Sequence, residues 1–497
     1  MRTRFYILWI LATFVTLSCG HKVTDPVPFG LVPVTFPDYR DVTIPASIAP
    51  LNFSIDEAER LDVTLTGDDG TTLHVNGPVA QFPPKEWKRL LAANKGGAVR
   101  IDVYGLVDGQ WRTYAPFHYF VSEDDIDYGL TYRLILPSYE GMGKLGIYER
   151  ELSSYRQREV ISTEEVNGCM NCHAFNQCDP SDMNLHVRGS NGATLILQES
   201  GLTAYSTKTD STISSCVYPY WHPSGRYIAY STNTTRQGFY QRPENILEVF
   251  DYASDIVVCD LRSGELFSCP LLKGDGAWET FPAFSPDGRT LYFCSAAPRQ
   301  IPEQLSEIRY NLCSIAFDPD NGTFGNHVDT LVHAAAAGFS VSFPRPSFDG
   351  RYLMFTTSVF GNFTIWHNDA DLCLMDLETG DIRSLDSANS PFSADSYHNW
   401  SSNSRWFVFG SRRDDLTHTR AYICHIDADG STGKPFLLPQ KDPRAYYDAL
   451  LMSYNIPEFI TAPIGLDSHK AWRLLKRGKK QSLQYRTPVS ARENQAI

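Results

Sequence analysis

One short turn recurs along the second half of the chain, and it constrains the fold more than any other feature. The copies are Trp221-His222-Pro223-Ser224-Gly225-Arg226, Phe284-Ser285-Pro286-Asp287-Gly288-Arg289, Pro346-Ser347-Phe348-Asp349-Gly350-Arg351 and a degenerate Trp400-Ser401-Ser402-Asn403-Ser404-Arg405. Their arginines are 63, 62 and 54 residues apart. An aromatic or apolar residue ends one strand. Pro then sets φ, Asp bonds the nearby backbone, and Gly takes a positive φ. An alternating strand follows, and a second one comes later in each unit, as in residues 255–261 and 372–377. A four-stranded sheet of this kind cannot bury both faces alone, so the units must stack on one another.

These turns resemble the TolB-like, WD-type β-propeller repeat over about residues 210–430. The resemblance implies a six-bladed propeller spanning 125–465, with seven blades as the alternative. Residues 132–136 with 145–152, and 193–197 with 202–207, supply the remaining blades. A late strand near 452–459 closes the ring beside an early one. Ahead of it, residues 44–124 hold six or seven short alternating strands, among them 51–55, 61–65 and 99–104. That spacing predicts an immunoglobulin- or fibronectin-like β-sandwich. The fold class is therefore all-β, a sandwich followed by a propeller. Aromatic residues at 13% and charged residues at 20% suit well-filled β cores.

The N-terminus reads as an export signal, residues 1–18. Arg2 and Arg4 precede an apolar run, 5–17, that is short for a membrane span. Leu17-Ser18-Cys19-Gly20 resembles the lipobox of bacterial lipoproteins, although Thr16 stands where Leu is usual. The resemblance implies diacylation at Cys19 and a membrane anchor; an ordinary secretory signal is the alternative. Residues 19–43 then form the anchor and an extended tether. The predicted location is the cell envelope, facing the periplasm or on the outer membrane. A net charge of −13 argues against nucleic acid as a partner. Residues 466–497 read as a basic tail, with Arg473, Lys476, Arg477, Lys479 and Lys480.

The chemically distinctive stretch is Cys169-Met170-Asn171-Cys172-His173. Cys-x-x-Cys-His is the attachment pattern of a c-type haem. Two thiols add to the porphyrin vinyl groups and the histidine becomes an axial iron ligand. With 11 Cys and 13 His in 497 residues, chance supplies about 0.006 such matches. The motif is expected on a loop, residues 163–188, too short for a cytochrome c domain of its own. His173 is the proximal ligand, and His186 or Met183 the sixth. The stretch with Phe175, Met183, His186, Arg188 and Gly189 also resembles a group of exported propeller proteins from Bacteroidetes-type bacteria that carry one such motif. Two rival readings remain. Cys169, Cys172, Cys178 and His186 could hold a structural zinc, or Cys172 could pair with Cys169 or Cys178 in a disulfide. Cys259, Cys313 and Cys424 track the repeat and read as packing; pairing among Cys216, Cys269 and Cys294 stays open.

Gly141-Met142-Gly143-Lys144-Leu145-Gly146 fits Gly-x-Gly-x-x-Gly, but a strand follows it and no helix, so it is a turn. No nucleophile stands beside a general base, so catalysis is not predicted. The leading functional expectation is electron transfer or redox sensing with an envelope or redox partner. The alternative is a non-catalytic propeller that binds a peptide or glycan, with the Cys-rich loop structural.

Overall fold

The computed structural model describes residues 22–136, 144–240 and 245–486, and the chain is all-β. The export signal, Cys19 and Gly141 to Gly143 lie outside the described residues.

The first unit is built on Ala98–Val107, a long alternating strand that buries Val99, Ile101 and Val103. One edge pairs with Arg60–Gly67, which pairs in turn with Thr72–Gly77. The other edge forks: Ala98 to Ile101 meet Phe117–Ser122, and Tyr104 to Val107 meet Gln110–Thr113. Val42–Pro45 and Val27–Pro28 add parallel strands to the two prongs. The expected pair of separate sheets is thus one forked sheet. It also starts inside the segment read as a tether, because the prongs need residues 27–28 and 42–45 to complete their edges. The helix Pro84–Ala93 covers the sheet with Trp87, Leu90 and Leu91. Trp87 stacks on Phe82 at 5.4 Å and donates from Nε1 to the Ile48 carbonyl at 3.0 Å.

Six antiparallel sheets follow among the described residues. Sheet 1 holds Gly129–Ile135, Gly146–Glu151 and Gln157–Ser162. Its first position is filled from the far end of the chain by Ser453–Ile460, the expected closing strand. Sheet 2 is Met170–Asn176, Asp179–Val187, Ala193–Gln198 and Gly201–Ser206. Sheet 3 is Val217–Trp221, Tyr227–Phe239, Leu247–Asp260 and Glu265–Phe267. Sheets 4, 5 and 6 begin with Trp278–Phe284, Ser340–Pro346 and Asp395–Trp400. From sheet 2 through sheet 6 and on to the closing strand of sheet 1, each leading strand touches the next, and residues from all six line one small axial void.

The recurrent turn joins the leading strand to the second strand. In sheets 3 to 6 the N–H of residue 222, 285, 347 or 401 bonds the carbonyl five residues on, at 2.8–2.9 Å. Gly225, Gly288 and Gly350 take φ of 66°, 71° and 75° there, and Ser404 takes 58° in the degenerate copy.

Two expected boundaries are corrected. Residues 163–188 are not a loop insert: they form a one-turn helix, Thr163–Val166, and the first two strands of sheet 2. Their alternation is broken by a bulge, which hides the strand period. The tail is folded as far as residue 485. Helix Ser468–Arg477 buries Ala471 and Leu475 in the core of sheets 1 and 2. Gln481–Ser482 and Gln484–Tyr485 then add parallel strands to the outer edges of sheets 2 and 3. The forked sheet docks on sheet 6: the Tyr39 hydroxyl donates to the Leu437 carbonyl at 3.1 Å, and His425 Nε2 meets Asp124 Oδ2 at 2.8 Å.

Candidate axial site

The leading strands share a device that decides what faces the axis. Each carries a bulge at one non-glycine residue of positive φ: Cys172, Tyr218, Phe281, Phe343, Tyr397 and Ile456, at 49–55°. The pairing register shifts at that residue in all six sheets. A side chain there strains the backbone by about 1 kcal/mol or more, so packing must hold it. Proline follows in four sheets, Pro219, Pro282, Pro344 and Pro457, and histidine in two, His173 and His398. Proline is tolerated because a leading strand has a free edge.

The six bulge residues form a collar. Tyr218, Phe281, Phe343 and Tyr397 contact one another in sequence, with centroids 4.8, 4.2 and 4.6 Å apart. Cys172 and Ile456 fill the gap. The collar encloses about 30 Å³, enough for one or two waters at ~10–15 Å³ each. Above it opens a funnel of about 480 Å³, walled by Cys169, Tyr218, Trp366, Tyr397, Arg133 and Arg188 among others. Below it Arg345 and Glu458 lead to a cavity of about 50 Å³ at the opposite mouth.

The Cys-x-x-Cys-His segment is held on the axis by local contacts. Ser162 and Glu165 form a capping box on the one-turn helix, and Asn167 ends it with φ 50°. A Cβ on Gly168 would collide with the Arg188 carbonyl. Arg188 N–H then donates to the Cys169 carbonyl at 2.7 Å. Asn184 Nδ2 donates to the Cys172 carbonyl at 2.8 Å and its Oδ1 accepts from the Tyr230 hydroxyl at 2.7 Å, which pins the bulge.

His173 is 2% exposed and neither ring nitrogen has a hydrogen-bond partner of good geometry. Burial first, then Arg133, push its pKa down to about 3, against a weaker opposing pull from the Ile456 backbone. The imidazole is therefore neutral. Burial pushes the Cys172 thiol up, while Arg188 and Arg133 pull the other way. Cys169 is exposed on the funnel wall. Glu458 is half-buried below the collar, and desolvation raises its carboxyl to about 8 although Arg345 opposes the shift.

The expected site residues separate. Cys172 and His173 line the collar void and Cys169 the funnel above it. Met183, 1% exposed, is packed between sheets 1 and 2 with Met170, Phe175 and Leu185. His186 lies on the other face of its strand, bonds Thr194 Oγ1 at 3.1 Å and lines a separate pocket of about 220 Å³. Burial lowers its pKa to about 4. Cys178 sits at the opposite mouth, its Sγ 3.4 Å from the Trp400 carbonyl oxygen. The set Cys169, Cys172, Cys178 and His186 is thus not assembled, because Cys178 is at the far end of the leading strand. All ten described cysteines are free thiols.

The site fits a c-type haem only in part. The chemistry of the donors fits: two thiols and a neutral, unpartnered imidazole. The space does not, since His173 and Cys172 face the 30 Å³ void and the room is in the funnel above. Arg133, Arg345 and Glu458 escaped the sequence reading, and Arg188 entered it only within a resemblance. Arg345 and Glu458 have a local signal, a pattern at the bulge: an apolar or aromatic residue, Pro or His, any residue, then an aromatic or Pro. Cys172-His173-Ala174-Phe175 and Phe281-Pro282-Ala283-Phe284 both obey it.

No family model and no curated protein matches the chain. Among solved structures, prolyl oligopeptidase B from Galerina marginata is 12% identical, with a TM-score of 0.37, covering 68% of this chain and 42% of that one. The chain thus spans less than half of that protein's length. A DUF4784 family protein from Bacteroides caccae is 7% identical, TM-score 0.32, covering 71% of this chain and 96% of that one. An endo-arabinanase from Bacillus licheniformis is 11% identical, TM-score 0.29, covering 53% and 99%.

Proposed function

We propose that the protein is a binding protein of the cell envelope: a six-bladed, TolB-like β-propeller, docked on the forked N-terminal unit, whose axial funnel takes a small ligand. The observation that carries this reading is the funnel itself. At about 480 Å³ it is in the range of ligand cavities, ~300–1,000 Å³. It is blocked below by the aromatic collar, so it is entered from one side. In this reading Cys172 and His173 are members of the sixfold bulge, export and lipidation at Cys19 tether the propeller to a membrane, and no catalytic step is assigned.

A second reading is favoured by one observation, the buried His173 with two unpartnered nitrogens directly after Cys172. Here Cys169 and Cys172 would hold haem c, and the protein would relay electrons to an envelope partner. A bound haem would supply one-electron chemistry; this chain would supply the thiols, the neutral imidazole and the walls. It requires the collar to open beside His173.

One sample tests both. The full mature chain is purified from the envelope of a host with haem-attachment machinery, then measured by native mass spectrometry and absorption. A non-covalent mass that disappears in Cys169→Trp, which fills the funnel, supports the binding reading. A covalent porphyrin mass with a reduced α-band replaces it with the haem reading. A bare polypeptide plus lipid overturns both.

A further inference from the structure

The charges around the funnel specify its ligand. Among the described residues its charged lining consists of Arg133 and Arg188, with no Asp, Glu or Lys. The chain as a whole carries −13, so this concentration of positive charge runs against the composition. Neither guanidinium forms an ion pair with a carboxylate among the described residues; the ion pairs of sheets 1 and 2 lie elsewhere, as in Arg158 with Glu149 at 2.8 Å. Arg133 donates only to neutral oxygens, the Met170 carbonyl and Asn455 Oδ1, both at 2.9 Å, and its Nε is buried without a partner. A half-buried charge left in that state is costly unless something else neutralises it. The remaining wall offers flat faces, from Tyr218, Phe363, Trp366 and Tyr397.

We propose that the funnel is an anion site for a flat, largely apolar small molecule bearing an acidic group, a carboxylate or its sulfonate analogue. Arg133 and Arg188 hold the acidic group through charge-assisted hydrogen bonds, and the body of the ligand lies against the aromatic wall. This deepens the reading of the funnel as a ligand cavity and does not depend on haem. The hairpin formed by Tyr227–Phe239 and Leu247–Asp260 supplies one side of the cavity through Thr235, Gln237, Leu247 and Val249. It is pinned from below by His367 Nε2 against Glu248 Oε2 at 2.8 Å, so the wall is pre-formed.

The test uses two fluorescent probes with the same ring system, 1-anilinonaphthalene-8-sulfonate and the neutral N-phenyl-1-naphthylamine. They are titrated into the full mature chain produced where no haem is attached. The sulfonate is expected to bind about tenfold or more tighter than the neutral probe, as one charge-assisted bond permits, and to weaken as salt rises. Arg188 is exposed, so Arg188→Gln should fold; it is expected to remove the preference and leave the neutral probe unchanged, while Arg188→Lys restores part of it. Equal binding of the two probes, or an Arg188→Gln variant that keeps the preference, overturns the anion site and leaves the ligand cavity standing. Failure of both probes to bind overturns the cavity reading as well.

Discussion

Sheets 2 and 6 meet the axis in the same way and differ in what stands beside it. Both place histidine where the other four sheets have proline. His173 and His398 are 2% and 1% exposed, and burial lowers each to about 3. His398 retains a long side-chain contact from Nδ1 to Thr356 Oγ1 at 3.5 Å, whereas His173 has only a weak pull from the Ile456 backbone. In sheet 6 the strand starts at Asp395, which Arg413 engages at 2.8 Å. In sheet 2 the residues before the bulge leave the Cys169 thiol and the Arg188 guanidinium on the funnel wall. The shared bulge accounts for Cys172 and His173 as structure. It does not account for Cys169, Arg133 and Arg188, and these are the residues that function has to explain.

The harshest way to break the comparison is to remove what both sheets lean on. Phe343→Ala should lower the unfolding free energy by about 3–5 kcal/mol, because its ring contacts Phe281 and Tyr397 in the collar; urea denaturation measures it. Glu458→Gln comes next. Its carboxyl is raised from 4.5 to about 8 in the fold, so the native state holds a proton that the unfolded chain releases. Stability should fall as pH rises from about 4.5 to about 8, and the variant should lose that slope and gain on the order of a few kcal/mol above it. Urea midpoints at both ends of the window decide.

His173→Pro and His398→Pro sharpen the comparison directly. Each should change stability by less than about 1 kcal/mol at neutral pH, since proline already occupies this place four times. Both histidines are depressed from 6.5 to about 3, so the native state refuses a proton that the unfolded chain takes up. Each replacement should flatten the loss of stability as pH falls from 6.5 towards 3. A haem role makes them unequal: only His173→Pro would then abolish an α-band. The smallest effect is expected at Arg289→Ala, within about 0.5 kcal/mol. Arg226→Ala should cost about 1 kcal/mol, because Arg226 engages Asp260 at 2.6 Å in the equivalent turn.

Sheets 3 to 6 were legible because copies of one turn, from Pro286-Asp287-Gly288 to the degenerate Ser402-Asn403-Ser404, join their first two strands. Sheet 2 makes that join with Gln177 and Cys178, at φ 48° and 67°, a turn with no glycine or proline to mark it. Sheet 1 has no such join, since its leading strand arrives from residues 453–460. Val27–Pro28 gave no signal because two residues in parallel pairing show no alternation. At the site, Cys169, Cys172 and His173 stood out by residue type, but the bulge at Cys172 made a strand look like a loop. Met183 and His186 look adjacent in sequence and face opposite sides of their strand. Arg133 and Arg188 converge on the funnel from different sheets, a proximity that no local pattern encodes.

The closing strand carries a further consequence. Sheet 1 stays incomplete until residues 453–460 arrive, 291 positions after the last of its own strands, which ends at Ser162. A chain interrupted anywhere before that point leaves the Gly129–Ile135 edge of sheet 1 unpaired, and such an edge invites pairing with other chains. Only a polypeptide delivered nearly to its end can cover it.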